Sequence, residues 1–259
     1  MDVAIFAEER KKLIVEYVNR HQKASVPELC VEFSVSPATI RNDLKELSEQ
    51  GLITRVHGGV ITNESVNYEP STSEKQVRRI EAKSKIAEEA VKLIQEGDCI
   101  ALDAGTTTME IAKRLGAFSE VTVITYDLEI AHYLDRNTNA TVIMAGGLVR
   151  KNFHYVIGDA AVLTIKDLNV DIAFMATNGV SVEKGVTTPK METAKIKKTL
   201  IANAKNVVLV SDSEKIGGIS FVNFADIEQV DVFITDADAD ERQVRGFEKM
   251  DVKVKLVEY

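Results

Sequence analysis

Residues 25–50 read SVPELCVEFSVSPATIRNDLKELSEQ, and this stretch decides the fold of the N-terminal part. Ser25-Val26-Pro27-Glu28 is a capping-box pattern, with serine at the N-cap, proline in the first turn and glutamate at the third position. It opens a short helix whose buried residues would be Leu29, Cys30 and Phe33. After Ser34-Val35, Ser36 caps again and Pro37 takes the first helical position, where its missing N–H leaves no partner wanting. The helix that follows runs to about Gln50 and is stopped by Gly51. Two helices joined by a turn this short form a helix-turn-helix. Upstream, residues 8–20 place Leu13, Ile14, Tyr17 and Val18 on one helical face. Downstream, residues 52–57 and 60–62 flank Gly58-Gly59, which predicts a hairpin wing.

Angular position separates the two faces of the third helix. At about 100° per residue, Ile40, Leu44 and Leu47 fall on the inner face. Ala38, Asn42, Lys45 and Glu49 lie opposite, with Thr39 and Arg41 on the flanks and Ser36 as the cap before them. Small and hydrogen-bonding groups at that end suit a helix entering the major groove, and Arg55 and His57 of the wing would reach phosphates. Bulk charge gives no support: residues 1–62 hold eight Lys/Arg against nine Asp/Glu, and the whole chain carries −8. The same geometry also serves three-helix modules that bind protein. The residues themselves favour DNA. The runs VSPATIRNDL (35–44) and GLITRVHGG (51–59) closely resemble the winged helix of DeoR-family sugar-operon repressors, with Asn42 where that family usually has a second arginine.

Residues 63–74 are polar, include Pro70 and show no period, so they read as a linker, making 1–62 the DNA-binding domain and 75–259 a second domain. A long helix over residues 74–95 follows, its Lys75, Arg78, Arg79, Lys83 and Lys85 reading as a solvated face. Beyond it, β-branched runs at 99–102, 122–124, 141–144, 172–176, 207–210, 232–234 and 252–257 alternate with helical patterns at 107–115, 128–134, 191–202 and 240–248. That alternation predicts an α/β domain with a mostly parallel sheet. Ligands of such sheets bind beyond the carboxyl ends of the strands. The expected rim carries Asp103, Gly105, Thr106, Thr107, Thr108, Thr125, Tyr126, Asp127, Gly146, Gly147, Asn178, Gly179, Lys215 and, from the helix over 191–202, Lys197.

A strand ending in Asp103, then Gly105 and three threonines opening a helix, is an anion cradle: amides and hydroxyls donate while the helix terminus adds positive charge. Lys197 or Lys215 would neutralise a phosphate, and Asp103 would take a sugar hydroxyl. The bland alternative is that the threonines only cap the helix. Neither a Walker lysine nor G-x-G-x-x-G follows a strand, which speaks against nucleotides. The chain from about residue 75 resembles the DeoR-family sensor domain, related to ribose-5-phosphate isomerase and CoA-transferase folds, through 103–108, Gly146-Gly147, Gly158, 171–174, 179–181, 185–187 and 211–215. Thr125-Tyr126 and Glu214 stand where that family usually has Thr-Asn and Ser.

The competing reading is a sugar-phosphate isomerase-like or CoA-transferase-like enzyme, with Glu192 as base or nucleophile. Phe174-Met175 occupies the place of an acidic pair in related isomerases, and no catalytic triad or metal-ligand spacing of the four histidines is evident. The resemblance therefore implies a non-enzymatic repressor needing no metal or cofactor, with operator DNA and a phosphorylated sugar as partners. A two-fold operator would require a homo-oligomer, dimer or tetramer. With two isolated cysteines, no membrane-length apolar run, and no apolar signal core in residues 1–10, the expected location is the cytoplasm.

Overall fold

The computed structural model describes residues 6–21, 23–50, 52–62 and 66–259, which divide into two compact units between Tyr68 and Glu69. Gly51, the expected helix stop, and residues 63–65 of the expected linker lie outside the described residues.

The first unit runs α1 (Ala7–His21), β1 (Lys23–Ser25), α2 (Val26–Glu32), α3 (Pro37–Glu49), β2 (Ile53–Val56) and β3 (Gly59–Thr62). The capping box forms: the Ser25 amide donates to Glu28 at 2.7 Å, and the Glu28 amide donates to Ser25 Oγ at 3.3 Å. Ser36 caps α3 by accepting the Thr39 amide at 3.2 Å. Ile14, Val18, Leu29, Ile40, Leu44, Leu47, Ile53 and Val60 close the core, with Cys30 and Phe33 half-buried at its edge. The wing turns one residue earlier than Gly58-Gly59 suggests. Val56 pairs with Gly59, so His57-Gly58 is the two-residue loop and Gly58 takes the positive φ of +82°. Gly59 is instead the contact with β1, where an added Cβ would lie 2.3 Å from the Ala24 carbonyl oxygen. That short β1 completes a sheet of order β1-β3-β2.

The second unit begins with α4 (Thr72–Gln76) and α5 (Ile80–Val91), then β4 (Cys99–Leu102), α6 (Thr106–Ala112), β5 (Thr122–Thr125), α7 (Leu128–Asn137) and β6 (Thr141–Met144). A hairpin of β7 (Leu148–Arg150) and β8 (Tyr155–Ile157) leads to α8 (Asp159–Ile165), β9 (Val170–Met175), β10 (Gly179–Ser181), β11 (Gly185–Thr188) and α9 (Met191–Ala202). The chain closes with β12 (Ala204–Val210), β13 (Val222–Ala225), β14 (Val232–Asp236), α10 (Glu241–Glu248) and β15 (Lys253–Val257). The seven expected strands form one parallel sheet of order β15-β14-β12-β9-β4-β5-β6. Successive side chains serve opposite faces: Ile100 and Leu102 pack in the core beneath α5, α6 and α7, whereas Ala101 packs in the core beneath α8, α9 and α10.

Two expectations change. Residues from Glu69 onward, read as linker and helix start, pack within the second unit: the Thr72 amide donates to the Asn152 carbonyl at 3.2 Å and Thr72 Oγ1 to the Phe153 carbonyl at 3.0 Å. The single helix over 74–95 is broken, because Arg79 stands in the left-handed region at φ 50°, ψ 40°. A non-glycine residue there costs roughly 1–2 kcal/mol. Its guanidinium offsets that cost by donating to Asp236 at 2.6 Å, Asp238 at 2.9 Å and Ser213 at 3.1 Å, while lying 5.2 Å from the Tyr259 ring centre.

Candidate functional site

On the first unit, the exposed face of α3 carries Ala38, Arg41, Asn42 and Lys45, with Thr39 half-buried and its hydroxyl 2.9 Å from that of Ser36. Arg55 and His57 are exposed on the wing. Arg10 of α1 holds buried Asp43 of α3 at 2.6 Å, and Lys11 holds Glu46 at 2.7 Å. Two acids of α3 are thereby paired with two cations of α1, which leaves the balance of the unit unchanged, and on the exposed face Lys45 lies 3.9 Å from Glu49.

On the second unit, the parallel strands are added from β4 through β5 to β6 on one side, and from β9 through β12 and β14 to β15 on the other. The switch point therefore lies between β4 and β9, where open α/β sheets bind ligands. Asp103, directly after β4, sits in that gap and is fully buried. One carboxylate oxygen accepts the Ala104 amide at 2.9 Å and the Tyr126 hydroxyl. The other accepts the Ala176 amide at 2.8 Å and the Lys197 ammonium. Lys197 also donates to the Ala176 carbonyl at 2.9 Å. Burial, and then the Asp103 charge, hold the Tyr126 phenol well above its ordinary pKa, so it remains a donor.

A cavity of about 320 Å³ opens above this floor. Of the residues expected at the rim, Gly105, Thr106, Tyr126, Asp127, Asn178 and Lys197 line its wall. Asp127 also caps α7, accepting the Glu129 and Ile130 amides at 2.9 and 3.1 Å, and burial raises its carboxyl to about 6. The other expected residues do not line it. Asp103 has no lone pair left for a sugar hydroxyl. Thr107 is buried, and Thr108 donates to the Asp103 carbonyl at 2.6 Å and the Gly105 carbonyl at 2.9 Å. Thr125 is buried and accepts the Asp127 amide at 3.1 Å. Gly146 and Gly147 lie at the start of the β7–β8 hairpin. Gly179 packs so closely on Gly218 that an added Cβ would lie 2.5 Å from its carbonyl oxygen. Lys215 stays in the turn after β12.

The remaining wall comes from segments the sequence reads as linker or solvated helix: Glu69, Thr72 and Lys75 around α4, with Ile80 and Lys83 on α5. Phe153 and Tyr155 of the hairpin, Thr188 of β11, Thr193 of α9, Met109, Glu110 and Lys113 from α6 and its end, and Glu129 of α7 line it too. Lys83 is the informative addition. It is buried, donates to the Lys75 and Arg78 carbonyls at 2.5 and 2.6 Å, and meets no carboxylate within ion-pair distance among the described residues. Burial lowers its ammonium to about 8. Lys75 lies 3.5 Å from Glu69 and is likewise pushed down by burial. The sequence displays these lysines but not the left-handed Arg79 that folds them over the strand ends.

Among the described residues, no three His, Cys, Asp or Glu side chains are placed to hold a metal ion, and no helix is long and apolar enough to cross a membrane.

A helix-turn-helix joined to an α/β unit with a polar cavity at its switch point has the build of a transcription regulator. Comparison with known proteins agrees. The DeoR-like helix-turn-helix domain matches residues 10–66, and the DeoR C terminal sensor domain matches residues 78–237. The HTH-type transcriptional regulator GlpR of Haloferax volcanii is 40% identical over 237 residues, which are 91% of this chain and 92% of that protein. The HTH-type transcriptional repressor GlcR of Bacillus subtilis is 32% identical over 232 residues, 90% of this chain and 89% of that one. The chain belongs to the DeoR family of transcriptional regulators and is not an enzyme. Ribose 5-phosphate isomerase A from Methanocaldococcus jannaschii superposes on 52% of this chain and 53% of its own at TM-score 0.39 and 21% identity, too slight a likeness to inform function.

Proposed function

We propose that this regulator is a cytoplasmic repressor of a carbohydrate operon, that it binds operator DNA as a homo-oligomer, and that a phosphorylated sugar controls it from the second unit. Lys83 carries the reading: a buried ammonium held by two carbonyls and, among the described residues, without a carboxylate at ion-pair distance, Asp212 and Glu214 acting on it only from further off, on the wall of a cavity that also presents Gly105, Thr106 and Lys75. A phosphate supplies the missing anion and accepts from the amides and hydroxyl where α6 begins. Carboxylates on the same wall, Glu69, Asp127 and Glu129, suit sugar hydroxyls. Lys197, assigned above to Asp103, positions the floor rather than neutralising the ligand. In the first unit, Arg41, Asn42 and Lys45 meet the major groove and Arg55 and His57 the backbone. The two sites are linked by unequal affinity of the sugar phosphate for DNA-competent and DNA-incompetent arrangements.

Two titrations test this. Calorimetry of the full chain against glucose 6-phosphate, fructose 1-phosphate, fructose 6-phosphate and ribose 5-phosphate, each beside its free sugar, should give binding that requires the phosphate. Equal binding of free sugars, or none from any ester, would sink the sensor assignment. Fluorescence anisotropy on a duplex obtained by selection from random DNA should show Arg41→Ala losing roughly 1–3 kcal/mol at one base position. Unchanged affinity would remove Arg41 from the interface.

A further inference from the structure

The chain enters the second unit at Glu69, and the first eight residues it lays down form part of the cavity wall. This segment, 69–76, is tied on one side to the β7–β8 hairpin. Thr72 bonds through its amide and hydroxyl to the Asn152 and Phe153 carbonyls, and the nearly buried Glu69 carboxylate takes Arg150 and the Tyr155 hydroxyl, the latter at 3.0 Å. Arg150 is itself fixed over the Phe153 ring, 3.7 Å from its centre. A capping box between Ser71 and Glu74 makes the segment internally stiff. On its other side it turns Lys75 toward the cavity, and that lysine's anionic neighbour is again Glu69, at 3.5 Å. One carboxylate therefore joins a cavity cation to the residues anchoring the point where the chain leaves for the DNA-binding unit.

We infer that segment 69–76 is the strap through which cavity occupancy is communicated, with Glu69 as the positioning residue and Lys75 exchanging Glu69 for the effector phosphate. This rests on the phosphate reading above and adds its regulation. Phosphate and Glu69 compete for one ammonium. When phosphate wins, Glu69 is left to Arg150 and Tyr155, and Lys75 is drawn inward with α4. The strap thus has two sets of partners, one for each state of the cavity, as a switching element requires.

Glu69→Gln separates this from a merely structural role, because glutamine keeps one oxygen that can accept from both Arg150 and Tyr155, as Oε2 of Glu69 does, while removing the charge that competes for Lys75. Using the full chain, the selected duplex and the tightest-binding ester of the panel, the variant should bind that ester at least twofold more tightly yet respond less. The ester should change parental operator affinity by fivefold or more, within the usual span of coupling, and that of Glu69→Gln by less than twofold. Hydrogen exchange gives an independent readout. The ester should slow the amides of residues 72–77 at least threefold in the parent and leave them unaltered in the variant. A parental response in Glu69→Gln overturns the inference, as does a proportionate loss of affinity and response. If no ester binds the parent, the phosphate reading falls and this inference with it; if the ester binds but 72–77 exchange is unmoved, only the strap is refuted.

Discussion

Asp103→Asn tests the floor of the site. The carboxylate is fully buried and the Lys197 side chain is 4% exposed. The replacement swaps one oxygen for an NH2 group, which must confront a donor whichever way it turns: Lys197 and Ala176 on one side, Tyr126 and Ala104 on the other. The Lys197 ammonium keeps one certain acceptor, the Ala176 carbonyl. Removing one member of a buried ion pair costs about 3–5 kcal/mol, since the partner's charge stays buried. For a unit of this size each kcal/mol shifts the midpoint by roughly 2–4 °C, so the C-terminal transition should fall by about 6–20 °C. The chain contains no tryptophan, so circular dichroism or scanning calorimetry is the assay. Lys197→Met should cost less, because Asp103 would retain Tyr126 and two amides as donors. The double variant should regain at least about 1 kcal/mol relative to Asp103→Asn, since an apolar replacement removes the stranded charge. A single-variant loss below about 1 kcal/mol, or a double variant worse than either single, would refute the view that this pair holds the switch point together.

Three further outcomes follow from the roof of the cavity. Burial lowers Lys83 to about 8, so a phosphate that binds its charged form should lose roughly tenfold in affinity between pH 7 and 9, a dependence that Lys83→Met should flatten. In the free protein the same shift runs oppositely: the fold disfavours the ammonium, so stability should rise between pH 8 and 10.5. A pH-independent affinity in the parent would take Lys83 off the ligand. Arg79→Gly and Arg79→Ala both strip buried Asp236 of its cation and should destabilise, but alanine must also occupy the left-handed region. The alanine variant should therefore unfold about 1 kcal/mol more easily in urea than the glycine variant, and equal losses would mean that the backbone at 79 relaxes.

What the sequence made legible follows from the range of the forces involved. Ser25, Ser36 and Pro37 announce helix starts because capping is settled within four residues. The strands of the large sheet announce themselves because a parallel sheet covered on both faces is mostly apolar along its inner strands, as in β4, β5 and β9. The small antiparallel pieces, β1, β7, β8, β10, β11 and β13, are too short to show a period, and most are stabilised by partners distant in sequence. The candidate site divides likewise. The turn at Gly105-Thr106 and the helix cap at Asp127 are local. That Asp103 would be saturated depends on Tyr126, Ala176 and Lys197, the last 94 positions away. Lys75 and Lys83 look like solvated charges until Arg79 breaks the helix, and that break is stabilised by Asp236, 157 positions further on.

The saturation of Asp103 has a consequence for timing. A carboxylate already filled by four donors has nothing to rearrange when a ligand arrives, so the floor imposes no slow step on entry. Any rearrangement that accompanies entry belongs instead to the roof, where α4, Lys75 and Lys83 line the cavity. Rates of association should then be nearly indifferent to conservative changes on the floor and sensitive to changes in residues 69–83, whereas the floor governs how long a bound molecule stays. Changes at the roof and at the floor would thus set the two halves of the regulator's response time separately.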